Sequence, residues 1–197
     1  QNSRGKYETQ ILSTIKQPMM DIRKFSWDMS LFLSQEFNLL SINKRYSTGS
    51  SIMPNKHNPD VIEIMRANYS IIAGYASELE NLISLPSGYH RDLQLTKRGL
   101  VRGFNTALTT LSILPDLIYS IQVNKEQSIK FIDDDMKMTD RVYELVSKGM
   151  AFRDAYNKIK TSKKDGQEIS GKLINSSPGS PGNLNLKNLK KRLKKQK

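Results

Sequence analysis

Residues 49–59 combine the residue types that an anion-binding loop needs. The segment reads Gly-Ser-Ser-Ile-Met-Pro-Asn-Lys-His-Asn-Pro, so a flexible stretch rich in hydroxyl groups is followed by the cation of Lys56. Asn58, Pro59 and Asp60 predict a helix start, with an N-cap, a first-turn proline and a first-turn acid. Because a helix N-terminus favours negative charge, the segment suits a carboxylate or a phosphate. The residue types alone fit equally well a solvated loop before an ordinary capped helix.

A second polar segment, residues 88–97, connects two of the predicted helices. It reads Gly-Tyr-His-Arg-Asp-Leu-Gln-Leu-Thr-Lys. Considered by itself, the pair Arg91 and Asp92 predicts an ordinary surface ion pair worth less than about 1 kcal/mol. Lys97 is then an ordinary lysine at a helix start, where the helix dipole does not favour a cation.

The composition excludes several kinds of site. The chain has 197 residues and no cysteine, which rules out disulfides and cysteine-based metal sites and permits a cytoplasmic location. Mean hydropathy is −0.54, and no apolar run approaches the ~18 residues of a membrane span. No secretory signal is visible. Because the first residue is Gln1 rather than Met, we expect a processed chain or a fragment.

The net charge of +12 is concentrated near the C-terminus. Residues 183–197 carry seven of the 31 Lys and Arg residues and no acid, which leaves 24 basic against 19 acidic residues in the rest. Leu186, Leu189 and Leu193 recur on one face of this tail, a basic amphipathic pattern that could contact nucleic acid, anionic lipid or an acidic partner. The alternative, which we favour, is a solvated or frayed terminus. Nucleic-acid binding is not expected, because no aromatic residues alternate with the basic ones.

The periodicity of apolar residues predicts an all-α protein. Helices are predicted over residues 3–36, about 59–85, about 97–123, about 139–148 and 151–160. Pro18 and Pro115 are expected to kink two of them. No segment alternates in the two-residue pattern of a strand, so no sheet is predicted. The length of the second helix favours an extended bundle.

The same periodicity predicts which side chains are buried. The first helix is expected to bury Ile11, Ile15, Met19, Ile22, Trp27 and Leu31. The second is expected to bury Val61, Ile62, Ile64, Met65, Ile72, Leu79, Leu82 and Ile83. The third is expected to turn inward Leu100, Phe104, Leu108, Leu111, Leu114 and Ile118.

The exact string of the first loop resembles the signature loop of the fumarase/aspartase/argininosuccinate lyase superfamily, G-S-S-x-M-P-x-K-x-N-P. All fixed positions match. The resemblance implies elimination of fumarate from the substrate, with Ser50 as general base and Ser51 in substrate binding. It implies that Lys56 and Asn58 support the base and the carboxylate that becomes enediolate-like. His57 occupies a variable position and is expected to be a surface histidine.

The second segment resembles Y-x-R-D-L-Q-x-x-K, a motif of the argininosuccinate lyase branch. That resemblance implies that Tyr89, Gln94 and Lys97 bind the argininosuccinate skeleton. Residues 3–6, 139–140, 148–155 and 179–183 resemble further parts of the family, with Ala151 in place of a usual proline, so that the likeness spans about residues 3–183. The implied organisation is a part of the central helical bundle in 1–123, a small helical domain in 124–165, and an irregular segment with a basic tail in 166–197.

The resemblance also implies what this chain does not contain. It is similar to the C-terminal half of the family, so the N-terminal domain and the region of the general acid are expected outside it. The family's sites are shared between subunits of a homotetramer, and no metal or organic cofactor is implied. Two alternatives stay open: another fumarate-releasing lyase of the superfamily, and a non-catalytic helical scaffold.

Overall fold

The computed structural model describes residues 3–49, 51–83, 88, 90–133, 135–164, 177–180 and 182–195. The chain divides into two compact units, Gln1–Ser128 and Ile129–Lys197. Helices dominate both units, and the predicted all-α fold class is confirmed.

Three long helices build the first unit. They are α1 (Lys6–Phe32), α2 (Asp60–Leu82) and α3 (Thr96–Tyr119), each three or four residues shorter at one or both ends than the sequence predicts. α1 packs along α2, and α3 contacts both. α1 and α3 continue through Pro18 and Pro115. The main core cluster is apolar and consists of Met19, Ile22, Met29, Tyr46, Ile62, Met65, Ile72, Ala107 and Leu117.

Two very short strand pairs form in the segments outside the long helices of this unit. β1 (Leu40–Ser41) pairs antiparallel with β4 (Gln122–Val123). β2 (Thr48–Gly49) pairs antiparallel with β3 (His57–Asn58). The sequence predicts no strands at all, because a two-residue strand is too short to show alternation.

The buried face of α3 differs from the predicted one. Phe104, Leu108, Leu111 and Ile118 are exposed, and the buried face instead carries small residues, among them Gly99, Gly103, Ala107 and Thr110. A Cβ added to Gly103 would lie 2.8 Å from Cδ2 of the buried Leu12. The small residues therefore let α3 approach its neighbours closely. Periodicity finds an apolar face but does not show which face packs within the chain.

The other two long helices show the same kind of error at fewer positions. Ile11, Trp27 and Leu31 of α1 are exposed, as is Ile64 of α2. The remaining predicted inward residues of both helices are buried or half-buried. The predicted α1–α2 core is therefore correct in its centre, around Met19 and Ile72, and too wide at its edges.

The second unit contains a helical hairpin and a separate terminal helix. A short helix, α4 (Lys125–Lys130), spans the boundary between the units. α5 (Met138–Ser147) and α6 (Phe152–Lys164) enclose a small core of Val142, Ala155 and Ile159. α6 extends four residues into the 161–182 segment, for which irregular structure is expected from the sequence. Of the rest of that segment, 165–176 and residue 181 lie outside the described residues.

Part of the basic tail forms helix α7 (Leu186–Lys194). Its leucines are about half exposed, so the expected solvated face is present. In the described part of the chain, no helix is both long enough and apolar enough to cross a membrane.

Candidate active-site loop

The signature segment forms a small hairpin. Its base is the β2–β3 pair, in which Thr48 lies opposite Asn58 and Gly49 opposite His57. Near the tip, the backbone N–H of Lys56 donates to the carbonyl of Met53 at 3.1 Å. The hairpin therefore holds Lys56 one residue away from its paired base.

The predicted loop residues differ in exposure. Ser51 and Lys56 are exposed and Asn58 is half-buried. His57 is exposed, as expected for a variable position. Ser50, the predicted base, lies outside the described residues. The structure thus brings Lys56 and Asn58 together on one hairpin, close to the helix that follows.

The hairpin leads directly into the N-terminus of α2. Pro59 is the N-cap of α2, whereas the sequence predicts Asn58 in that role. The prediction of Asn58 as N-cap is wrong because its backbone pairs with Thr48 in the hairpin. Among the described residues no side chain caps α2, so its first-turn amides are directed out of the helix end. The helix dipole adds positive potential at the same place.

Acidic side chains also lie at this helix end. Asp60 and Glu63 are in the first turn of α2. Acids there stabilise the helix through its dipole, but they also repel an anionic ligand. Asp60 accepts a hydrogen bond from Thr48 Oγ1, so its carboxylate is engaged with the hairpin base. Lys56 and the first-turn backbone amides of α2 are therefore the groups that would attract an anion here.

Both sides of the hairpin are anchored in the core. On one side the 3₁₀ turn Lys44–Tyr46 buries Tyr46, which is 6% exposed. The guanidinium of Arg45 lies 4.6 Å from the centre of the Tyr46 ring. On the other side, Ile62 of α2 is fully buried. Sequence reasoning missed Tyr46, Thr48 and Asp60 as supports, although a tyrosine within a polar connector is a usable signal.

The second predicted segment lies at the start of α3. Residues Arg91–Leu95 form a 3₁₀ helix that continues into α3. Leu93 is 7% exposed, and Thr96 is fully buried, its Oγ1 donating to the Leu93 carbonyl at 2.8 Å. Gln94 and Lys97 alternate with these anchors and are exposed.

This alternation places two of the three binding residues predicted for this segment, Gln94 and Lys97, on its solvent-facing side. Tyr89, the third, lies outside the described residues. Among the described residues, no three His, Asp or Glu side chains converge in a way that could hold a metal ion.

Comparison with known proteins shows first what the fold is similar to. Residues 3–74 match the model of a lyase family. The fold is similar to that of the class II fumarase from Schistosoma mansoni, with a TM-score of 0.66 at 16% identity over 81% of this chain and 33% of the fumarase. The fold is thus that of the fumarase-type lyases.

Sequence similarity is more specific. The chain is 43% identical over 196 residues to the argininosuccinate lyase of Xylella fastidiosa strain Temecula1, covering 98% of this chain and 44% of that protein. It is 41% identical to the argininosuccinate lyase of Sorangium cellulosum, covering 98% of this chain and 46% of the relative. The chain is therefore a homologue of the argininosuccinate lyases and spans somewhat less than half the length of these curated relatives.

Proposed function

We propose that this chain supplies part of an argininosuccinate lyase, a carbon–nitrogen lyase that eliminates fumarate from argininosuccinate and leaves arginine. The observation that carries the proposal is the similarity to argininosuccinate lyases along 98% of the chain. The motif similarities favour the C-terminal half of such an enzyme. The complete enzyme then means these 197 residues together with the portion of a lyase that they do not cover.

The reaction needs a base, an acid and a site for a developing anion. The base removes the proton on the carbon next to a succinate carboxylate, and the electron pair forms the double bond of fumarate as the carbon–nitrogen bond breaks. The departing guanidino nitrogen takes a proton from an acid. Because the carbon acid is weak, the dianion that forms on proton removal has to be stabilised by cations and amides already in position.

Ser50 is proposed as the base. A serine hydroxyl is a poor base unless its surroundings activate it, and Lys56 is the cation that the loop of residues 49–59 itself carries. Lys56 and Asn58 are proposed to stabilise the enediolate-like carboxylate. Their position on a hairpin that leads into the N-terminus of α2 supports this role, because helix amides and dipole add to the same attraction.

Substrate binding is proposed for Ser51, Tyr89, Gln94 and Lys97. Lys97 would bind a carboxylate, and Tyr89 and Gln94 would form hydrogen bonds to the skeleton. The exposure of Gln94 and Lys97 beside the buried Leu93 and Thr96 supports this, since the anchors hold the segment while leaving the polar groups accessible. The general acid is proposed to come from the portion of the enzyme outside this chain.

The complete enzyme is proposed to be a homotetramer in the cytoplasm with sites shared between subunits. One feature of α3 supports assembly: an exposed apolar seam with steps of three, four and seven residues, formed by Val101, Phe104, Leu108, Leu111 and Ile118. Such spacing is typical of helices that pack against another helix. A contiguous exposed apolar face of this kind is typical of an interaction surface.

The direct test is release of fumarate from argininosuccinate, followed by ultraviolet absorbance. We expect none from the 197-residue chain alone and rapid release from the complete enzyme. In the complete enzyme, Ser50→Ala is expected to abolish turnover without changing the helical circular dichroism. His57→Gln is the matched control, because His57 is an exposed loop neighbour outside the proposed machinery.

Two results would contradict the proposal. Turnover of Ser50→Ala at the rate of the unsubstituted enzyme would remove Ser50 as the base. Release of fumarate from malate or aspartate, but not from argininosuccinate, would assign the chain to another lyase of the superfamily.

A further inference from the structure

The active-site hairpin is joined to α2 by a side-chain hydrogen bond that its sequence motif does not include. Thr48, at the beginning of β2, donates from Oγ1 to the carboxylate of Asp60, the first residue of α2. The two residues are twelve positions apart and flank the whole loop. We call this contact the Thr48–Asp60 clasp.

The hairpin is short. Its paired base is two residues long on each side, and an isolated strand pair of that length is not stable in water. Ser51 and Lys56 at the tip are exposed and bury little apolar surface. A charge-assisted hydrogen bond at the base is stronger than a neutral one. The clasp therefore adds a directional contact at the point where the loop begins and ends.

The clasp also fixes the position of the Asp60 carboxylate. Asp60 is at the helix end that is proposed to attract the substrate carboxylate, and a free carboxylate there would compete with the ligand for Lys56 and the first-turn amides. A hydrogen bond from Thr48 keeps the Asp60 carboxylate on the side of β2. Loss of the hydroxyl would thus both loosen the loop and release a competing anion.

We propose that Thr48 and Asp60 are positioning residues, which hold the hairpin so that Lys56 and Asn58 stay at the N-terminus of α2. This inference rests on the proposed lyase function for its catalytic consequence. The existence of the clasp, and its effect on loop order, do not depend on that function. The two parts can therefore be tested separately.

Three variants separate the hydrogen bond from shape and charge. Thr48→Val keeps the branched shape and strand preference but removes the donor. Thr48→Ser keeps the hydroxyl. Asp60→Asn removes the charge but keeps an oxygen that can accept from Thr48. The contact lies at the surface, so all three variants are expected to fold, which helical circular dichroism and thermal unfolding would verify.

The first measurement is hydrogen exchange of the 197-residue chain. We expect roughly tenfold or faster exchange of the amides in residues 48–58 in Thr48→Val, with the amides of the α2 centre, around Met65 and Ile72, unchanged. Thr48→Ser is expected to keep the protection of the unsubstituted chain, and Asp60→Asn, whose hydrogen bond is neutral and weaker, to show protection between that of the unsubstituted chain and that of Thr48→Val. Equal protection in Thr48→Val and the unsubstituted chain would overturn the proposal, whatever the activity.

The second measurement is the kinetics of the complete enzyme. Because a misplacement of about 1 Å can reduce a rate by a factor of about 100, Thr48→Val is expected to lower kcat at least tenfold. Asn58 and Lys56 act on the developing anion, so KM is expected to change much less. Thr48→Ser is expected to restore most of kcat.

The outcomes distinguish the two proposals. If exchange rises in Thr48→Val but kcat does not fall, the clasp orders the loop without positioning the reaction, and the inference is overturned. If the complete unsubstituted enzyme releases no fumarate, the lyase proposal fails together with the catalytic part of the inference. The exchange result would still decide whether the clasp orders the loop.

Discussion

Leu117 and Leu108 on α3 provide a test of how the first unit is packed. The sequence predicts Leu108 to be inward, whereas in the structure it is 52% exposed and Leu117 is fully buried in the main core. Replacing Leu117 by Ala removes buried methyl groups and leaves a cavity, which costs about 3 kcal/mol of unfolding free energy. Replacing Leu108 by Ala removes a half-exposed side chain and is expected to cost less than about 1 kcal/mol.

The assay is urea unfolding at low micromolar concentration, followed by far-ultraviolet circular dichroism. With a slope of about 2 kcal/mol per molar urea, Leu117→Ala is expected to lower the midpoint by about 1.5 M and Leu108→Ala by less than about 0.5 M. Equal effects of the two substitutions would refute the burial of Leu117 and the exposure of Leu108. Repeating the series at high concentration tests the α3 seam, because a side chain buried between copies gains importance as the copies associate.

Substitutions at three glycines are expected to change the free energy of unfolding in different directions, and thermal or urea unfolding measures each change. Gly149 has φ +95° in the α5–α6 turn. Gly149→Ala is therefore expected to destabilise the chain by about 1 kcal/mol or more through backbone strain alone. An unchanged stability would contradict the turn geometry. Gly74 lies inside α2, where an added Cβ meets no described atom within 4 Å. Gly74→Ala is therefore expected to stabilise the helix by about 0.5–1 kcal/mol. A loss of stability would show that the position has no room for a methyl group. Gly103→Val is expected to destabilise the chain by about 1–3 kcal/mol, because the valine side chain would overlap the buried Leu12. An unchanged stability would mean that α3 can move away from α1.

The sequence predicts the helices of this protein well because their apolar periodicity is sustained. Five predicted helices correspond to α1, α2, α3, α5 and α6, with ends that differ by a few residues. The two strand pairs are not predictable in this way, because each partner is only two residues long. Their formation depends on tertiary position rather than on local preference.

The buried face of α3 shows where periodicity fails. A helix with apolar residues on one side and small residues on the other has two faces that can pack. Gly99 and Gly103 occupy the face that approaches α1 and α2, while Phe104 and Leu108 face solvent. Only the close approach of the three helices decides between these faces, and the sequence contains no direct signal of it.

The candidate site is predictable from the sequence as far as its motif extends. Residue type and resemblance predict roles for Lys56, Asn58, Gln94 and Lys97, and the structure shows how buried neighbours hold the segments that carry them. The supports are not predictable: Asn58 pairs in a hairpin instead of capping α2, and Thr48 bonds Asp60 across twelve residues. Both depend on a chain reversal that local sequence rules do not specify.

The anchoring of the hairpin by Tyr46 and Ile62 has a consequence for screening variants. Because these anchors, and not the exposed tip, carry the buried contacts, substitutions at Ser51 or Lys56 leave the folded state almost unchanged in free energy. Screens that select on expression level, solubility or melting temperature will pass such variants as normal. Such variants have to be examined by an assay of the proposed reaction rather than by a stability screen.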